Sequence, residues 1–208
     1  GGFVGQLTGT TTNISTSSAS GNVTNTTNGT TSRTGGFVGY FNTTNNNATI
    51  VNSRASGIVS GTTYVGGFAG YVTGNGAISN SYETGAVIAS NSSSGGVGGF
   101  AGYLDSNFNG TISNIYEMGS VKGQGNLGGL IGYAAKGNVS NGYVTGLLMG
   151  NGSNVGAVFG GLNISTYVSG NTTPYYVNRS NLFYNNQTTN LTVDATGGGG
   201  TGNIGAAG

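Results

Sequence analysis

The chain has 208 residues, 45 of them glycine, with one proline and no cysteine, histidine or tryptophan; five basic and four acidic side chains leave a net charge of +1. That balance excludes a basic nucleic-acid face, zinc fingers and histidine-based triads, and a disulfide scaffold. Collagen is excluded by the missing three-residue glycine period and the near absence of proline, a membrane helix by the lack of any apolar run of about 18 residues, and simple disorder by 10% aromatic residues with almost no net charge.

Read in chain order, the sequence repeats. Gly-Gly-Phe-Val-Gly occurs at Gly1–Gly5 and Gly35–Gly39, Gly-Gly-Phe-Ala-Gly-Tyr at Gly66–Tyr71 and Gly98–Tyr103, and Gly-Gly-Leu-Ile-Gly-Tyr at Gly128–Tyr133. A worn copy, Gly-Ala-Val-Phe-Gly-Gly, spans Gly156–Gly161. The starts at 1, 35, 66, 98, 128 and 156 lie 34, 31, 32, 30 and 28 residues apart, a period suited to solenoid repeats. A second motif follows in each copy. It reads Ile-Ser-Asn-Ser-Tyr-Glu-Thr-Gly at Ile78–Gly85, with matches at Ile112–Gly119 and Val139–Gly146 and weaker ones at Ile50–Gly57 and Ile14–Gly21. The expected division is a repeat solenoid over 1–161 and a degenerate terminal coil with a Gly-rich tail over 162–208. An opening at Gly1 rather than methionine, with no signal peptide in view, reads as a processed or excised piece of a longer chain.

The local period is two, as in a half-buried strand. Ile78, Asn80 and Tyr82 alternate with Ser79, Ser81 and Glu83, which predicts the acids on the outside. No window has helical spacing, and glycine this dense would undo a helix. Each unit therefore reads as two or three short strands separated by Gly/Asn/Thr turns. Propeller blades need about 40 residues. Shorter units with length changes in stretches such as Thr43–Asn47 favour an all-β, right-handed parallel β-solenoid, about one coil per repeat. Six coils stacked about 4.8 Å apart would make a rod roughly 25–30 Å long. Stacking also accounts for the missing charges, because a charge in every coil would face its own copy. The predicted columns are Phe3, Phe37, Phe68, Phe100 and Leu130 inside; Asn52, Asn80, Asn114 and Asn141 at a turn or inner face; Tyr40, Tyr71, Tyr103 and Tyr133; and Tyr82, Tyr116 and Tyr143. Their expected role is core and ladder packing. The stretch Thr8–Thr34 and the end from Gly197 look loose.

The two motifs together resemble the GLUG repeat, whose usual form reads GGLVGxNxGxIxNSYATGxV. The resemblance covers residues 1 to about 161, with the strongest copies at 66–97, 98–127 and 128–155. Asn181–Asn185 and the glycine run Gly197–Gly202 resemble the segment that closes such arrays, with Tyr184 where tryptophan is common. GLUG repeats occur in large surface and secreted proteins, including filamentous-haemagglutinin-like adhesins. The resemblance implies a β-solenoid with an extracellular, adhesive role.

Catalysis needs convergent ionisable groups. The acids are Glu83, Asp105, Glu117 and Asp194; Glu83 and Glu117 share a position in adjacent copies, an exposed pair that glycoside hydrolysis could use but that reads as solvated charge. Calcium would need more ligands, and neither HExxH nor a P-loop GxxxxGK[ST] is present. No catalytic residue, cofactor or metal is expected. Asn-x-Ser/Thr sequons begin at Asn13, Asn22, Asn25, Asn28, Asn42, Asn47, Asn91, Asn109, Asn138, Asn151, Asn163, Asn171, Asn178, Asn186 and Asn190, many of them between motifs, and make a glycoprotein the expectation. The function expected is a structural, adhesive stalk at the cell surface or secreted. Its partners would be glycans or proteins of a host cell, neighbouring cell or matrix, not nucleic acid. The alternatives are a filament or sheath subunit that self-associates end to end and, more remotely, a polysaccharide-acting β-helix enzyme.

Overall fold

The computed structural model describes residues 1–90, 95–150, 154–163, 177–185 and 187, and the backbone of 204–207. Sequons Asn91, Asn151, Asn171, Asn186 and Asn190, Asp194 and the run Gly197–Gly202 lie outside the described residues.

One coil shows how the sequence turns. The chain runs through Tyr64–Gly66, bends at Gly67–Phe68 and continues as Ala69–Gly74. It turns at Asn75–Gly76 into Ala77–Glu83, and again through 84–86 into Val87–Ala89. Gly96–Gly98 then lies in parallel register over Tyr64–Gly66, closing the coil. Glycine is required at the first bend: a Cβ on Gly66 would stand 2.0 Å from the Ala69 carbonyl oxygen. A full coil thus has four strands, not the two or three expected, because strands as short as Gly96–Val97–Gly98 show no alternation to read.

Stacking the coils makes a parallel β-solenoid, about one coil per repeat. Gly35, Gly66, Gly98, Gly128 and Gly156 are successive register partners. Among the described residues the four faces are sheets of six, nine, five and five strands. The first runs from Val4–Gly9 to Phe159–Leu162, and the second, the motif Ile-Ser-Asn-x-Tyr, from Asn13–Ser15 to Ile204–Ala207. The Thr8–Thr34 stretch is not loose: it turns with the rest, pairing Ile14 with Ile50, Val23 with Val59 and Arg33 with Tyr64.

Two apolar columns hold the coils together. Phe3, Phe37, Phe68 and Phe100 stack with ring centroids 4.7–4.8 Å apart and planes within 6°. Leu130 continues the column, its carbonyl accepting from the Phe100 amide at 2.9 Å. Phe37, Phe68, Phe100 and Leu130 are fully buried, whereas Phe3, expected inside, is 48% exposed, because Phe37 covers its ring from one side. Each buried phenylalanine contributes about 1.5–3 kcal/mol. A smaller core of Val59, Val87 and Val121 with Val65, Val97 and Leu127 fills the space between the third and fourth sheets.

Candidate functional site

The second sheet carries the motif's polar residues, and a backbone feature decides where they point. Asn52, Asn80, Asn114, Asn141 and Asn181 all have φ between 50° and 53°. Asparagine tolerates this left-handed conformation better than most residues. One left-handed residue in a strand resets its alternation. Ile78 is buried before it; after it Ser81 and Glu83 are buried, and Tyr82 is half-buried. The expectation that Glu83 and Glu117 face outward is therefore corrected: both are fully buried. The kink also removes Asn80 and Ser81 from the ladder with the preceding coil, and the Ser53 amide donates to the Ser81 hydroxyl instead, at 3.2 Å.

Outside, the asparagines form a ladder on the exposed face of the strands, at the left-handed kink, and not at a turn between strands or on the inner face. Asn114 donates to Asn80 at 2.9 Å, Asn141 to Asn114 at 2.8 Å and Asn181 to Asn141 at 2.9 Å. Beside it runs an aromatic column. Tyr82 and Tyr116 stack at 4.6 Å, and Tyr143 and Phe183 follow in register. Tyr116, Tyr143 and Phe183 are 37%, 37% and 45% exposed. A shallow depression of about 470 Å³ lies among Asn141, Gly142, Tyr143, Asn181 and Phe183.

Inside the same strands, Glu83 and Glu117 are register partners with Ala55 and Val144 as their neighbours along the column. The Gly85 amide donates to Glu83 Oε1. Glu83 Oε2 and both oxygens of Glu117 have no hydrogen-bond partner, although the amides of Gly119 and Gly146 face the Glu117 carboxyl closely enough to favour its ionised form. Burial, and for Glu83 the charge of Glu117, push the two carboxyls up to about 9 and about 8. Burial thus favours the protonated form of both and places them out of reach of a glycosidic bond. The carboxylate pair needed for glycoside hydrolysis is absent from the surface of these strands.

The first sheet presents the other tyrosines. Tyr71, Tyr103 and Tyr133 stack at 5.1 and 5.2 Å, Tyr64 packs edgewise against Tyr71 and tilted against Tyr103, and Tyr40 meets Tyr71 at 5.7 Å. The Arg33 guanidinium lies 3.9 Å from the Tyr40 ring centre and 4.7 Å from that of Tyr71. Burial raises the Tyr71 and Tyr103 phenols, Tyr103 to about 12, and for Tyr71 the hydrogen bond to Asp105 adds to it. Burial alone would raise Asp105, but donation from Tyr71, Asn107 and Thr73 outweighs it and holds the carboxyl below its ordinary range. No group of three or more His, Cys, Asp or Glu side chains converges as a metal site among the described residues.

The described sequons divide by what their side-chain nitrogen does. Asn25, Asn109, Asn138 and Asn178 each donate through Nδ2 to a neighbour. Asn13 and Asn22 use only their oxygens, accepting from Thr49 and Ile58. Asn28 and Asn47 are exposed, and Asn42 and Asn163 half-buried.

Residues 61–88 match the family described as the GLUG motif. The chain carries a GLUG-motif β-solenoid domain. The matched stretch starts at Gly61, whose register partner in the next coil is Ala89. The GLUG motif of this chain is thus one turn of the solenoid, containing a strand of each sheet, the left-handed Asn80 and the buried Glu83. No curated protein matches the chain. No helix among the described residues is long and apolar enough to cross a membrane.

Proposed function

We propose that this domain is a stiff adhesive stalk segment of a cell-surface or secreted protein, attaching to glycan or protein on a host cell, a neighbouring cell or a matrix. The observation that carries the reading is the pairing of an uninterrupted core with in-register exposed columns: Asn80–Asn114–Asn141–Asn181 beside Tyr82–Tyr116–Tyr143–Phe183. Such columns repeat one weak contact along a rigid rod, which favours multivalent attachment. Exposed sequons whose side-chain nitrogen has no partner among the described residues, at Asn13, Asn22, Asn28 and Asn47, are the proposed glycosylation sites, and sugars there would help a nearly uncharged rod stay soluble.

Beads coated with the domain should be retained under flow on epithelial cells, bacterial lawns or matrix-coated glass. Tyr116→Ser with Tyr143→Ser should reduce that retention severalfold. Retention equal to that of bare beads on every surface would overturn the reading. Negative-stain images of the same material should show single short rods; end-to-end polymers would favour the filament subunit instead. Intact mass of native material should exceed the sequence mass by whole glycans.

A further inference from the structure

The repeat is regular in its strands and uneven in its loops. Phe41, Val72 and Leu104 are register partners, as are Thr49, Ala77 and Thr111. Between these two rungs the second coil carries residues 42–48, the third 73–76 and the fourth 105–110. The third coil is shorter than both neighbours, so a loop stands on either side of it. With coils about 4.8 Å apart, the notch is roughly 10 Å across. Its volume is about 540 Å³, within the usual range for small-molecule sites.

The notch is held in shape before any ligand arrives. Asp105 accepts from the Tyr71 hydroxyl at 2.5 Å, the Thr73 hydroxyl at 3.2 Å, and the backbone and side-chain nitrogens of Asn107, both at 2.9 Å. Asn109 donates to Asn75 at 3.2 Å, and Asn75 to the Thr44 carbonyl at 2.9 Å, tying both walls to the floor. Binding there costs little ordering. Asp105 thus accepts four hydrogen bonds, three of them at Oδ1, which fix its carboxyl in place. The Asn42 amide and the Thr44 hydroxyl, in contrast, have no side-chain partner among the described residues. They stand as an open set of donors and acceptors in the lining.

From this we propose that the notch binds one unit of a neutral saccharide, with the Asn42 amide and Thr44 hydroxyl bonding its hydroxyl groups. Amides and hydroxyls both donate and accept, as sugar hydroxyls do. The Asp105 charge disfavours uronates, sulfates and phosphates, and the Arg33 cation is not in the lining but lies over the tyrosine rings. The site rests on the adhesive reading above and names its ligand class.

Asn42 and Asn109 head sequons, so the test uses protein from a host without N-glycosylation. Titration calorimetry is run with neutral oligosaccharides of glucose, mannose, galactose and N-acetylglucosamine, and with oligogalacturonate and heparin fragments. At least one neutral sugar should bind with Kd of about a millimolar or tighter, and Asn42→Ala with Thr44→Ala should weaken it about tenfold. The melting temperature should not change, and Lys122→Ala, exposed in the strand Val121–Gly123 and outside the notch lining, should leave sugar binding intact. Three results would overturn the notch: no neutral sugar binding, tighter binding of a charged glycan, or binding indifferent to Asn42 and Thr44. Beads retained on cells with no sugar bound would overturn the notch alone; loss of both would overturn the adhesive reading too.

Discussion

Two polar columns rise from the same strands, three residues apart, and fare differently. The asparagine ladder stands outside, each amide donating to the one in the coil before it. The glutamates stand inside, with three of four oxygens unpartnered. An amide carries both a donor and an acceptor, so it can stack on its own copy without end. A carboxylate only accepts, so two stacked copies repel unless protonated. That asymmetry accounts for asparagine in coil after coil and glutamate in two adjacent ones.

The largest expected effect exploits it through pH. Glu83 and Glu117 would titrate near 4.3 in the unfolded chain and do so at about 9 and about 8 in the fold. Their folded values are raised, so stability is fully present below about pH 4 and falls as pH rises through the folded values. It should then level off. The slope is at most about 1.4 kcal/mol per pH unit for each group. Urea denaturation from pH 4 to 10 should show the fall, and Glu83→Gln with Glu117→Gln should flatten it. A flat wild-type profile would remove the inner column from the account.

Next comes the bend that the inner column packs against. A Cβ on Gly67 would meet the Gly99 carbonyl oxygen at 2.3 Å and Glu83 Cγ at 2.4 Å, while one on Gly21 meets nothing within 4 Å. Gly67→Ala should therefore cost about 3 kcal/mol and Gly21→Ala less than about 0.5 kcal/mol, read from urea midpoints. Smaller again is the outer column. Asn114→Ala loses two ladder bonds and strains a φ of 53°, for about 2 kcal/mol. Asn114→Gly keeps the conformation and should cost roughly half as much. Equal losses would mean the left-handed turn contributes nothing. The smallest effect is Tyr116→Ser, about 0.5–1 kcal/mol for one exposed stacking contact.

The sequence made the coil period and the phenylalanine column legible because both repeat at fixed offsets from Gly-Gly. It misplaced Glu83 and Glu117 because a strict period of two was carried through Asn80 and Asn114. The available signal was the asparagine itself, recurring two residues before the tyrosine, where a left-handed residue resets the phase. The four-strand coil was hidden by strands of three residues rich in glycine. The notch was not readable at all: it arises from the short loop of one coil lying between longer loops of its neighbours, which only the register aligns.

Each repeat is one coil stacked in parallel register on the next. The chain has no cysteine, so a pair can be added cleanly. Ser79 and Ser113 are register partners, so their Cα atoms stand about 4.8 Å apart, within disulfide reach. Ser79→Cys with Ser113→Cys should oxidise to an intrachain disulfide in the native protein, whereas Ser79→Cys with Thr145→Cys, on a more distant coil, should not. Failure of the first pair to close, or closure of both alike, would contradict the stacked coil.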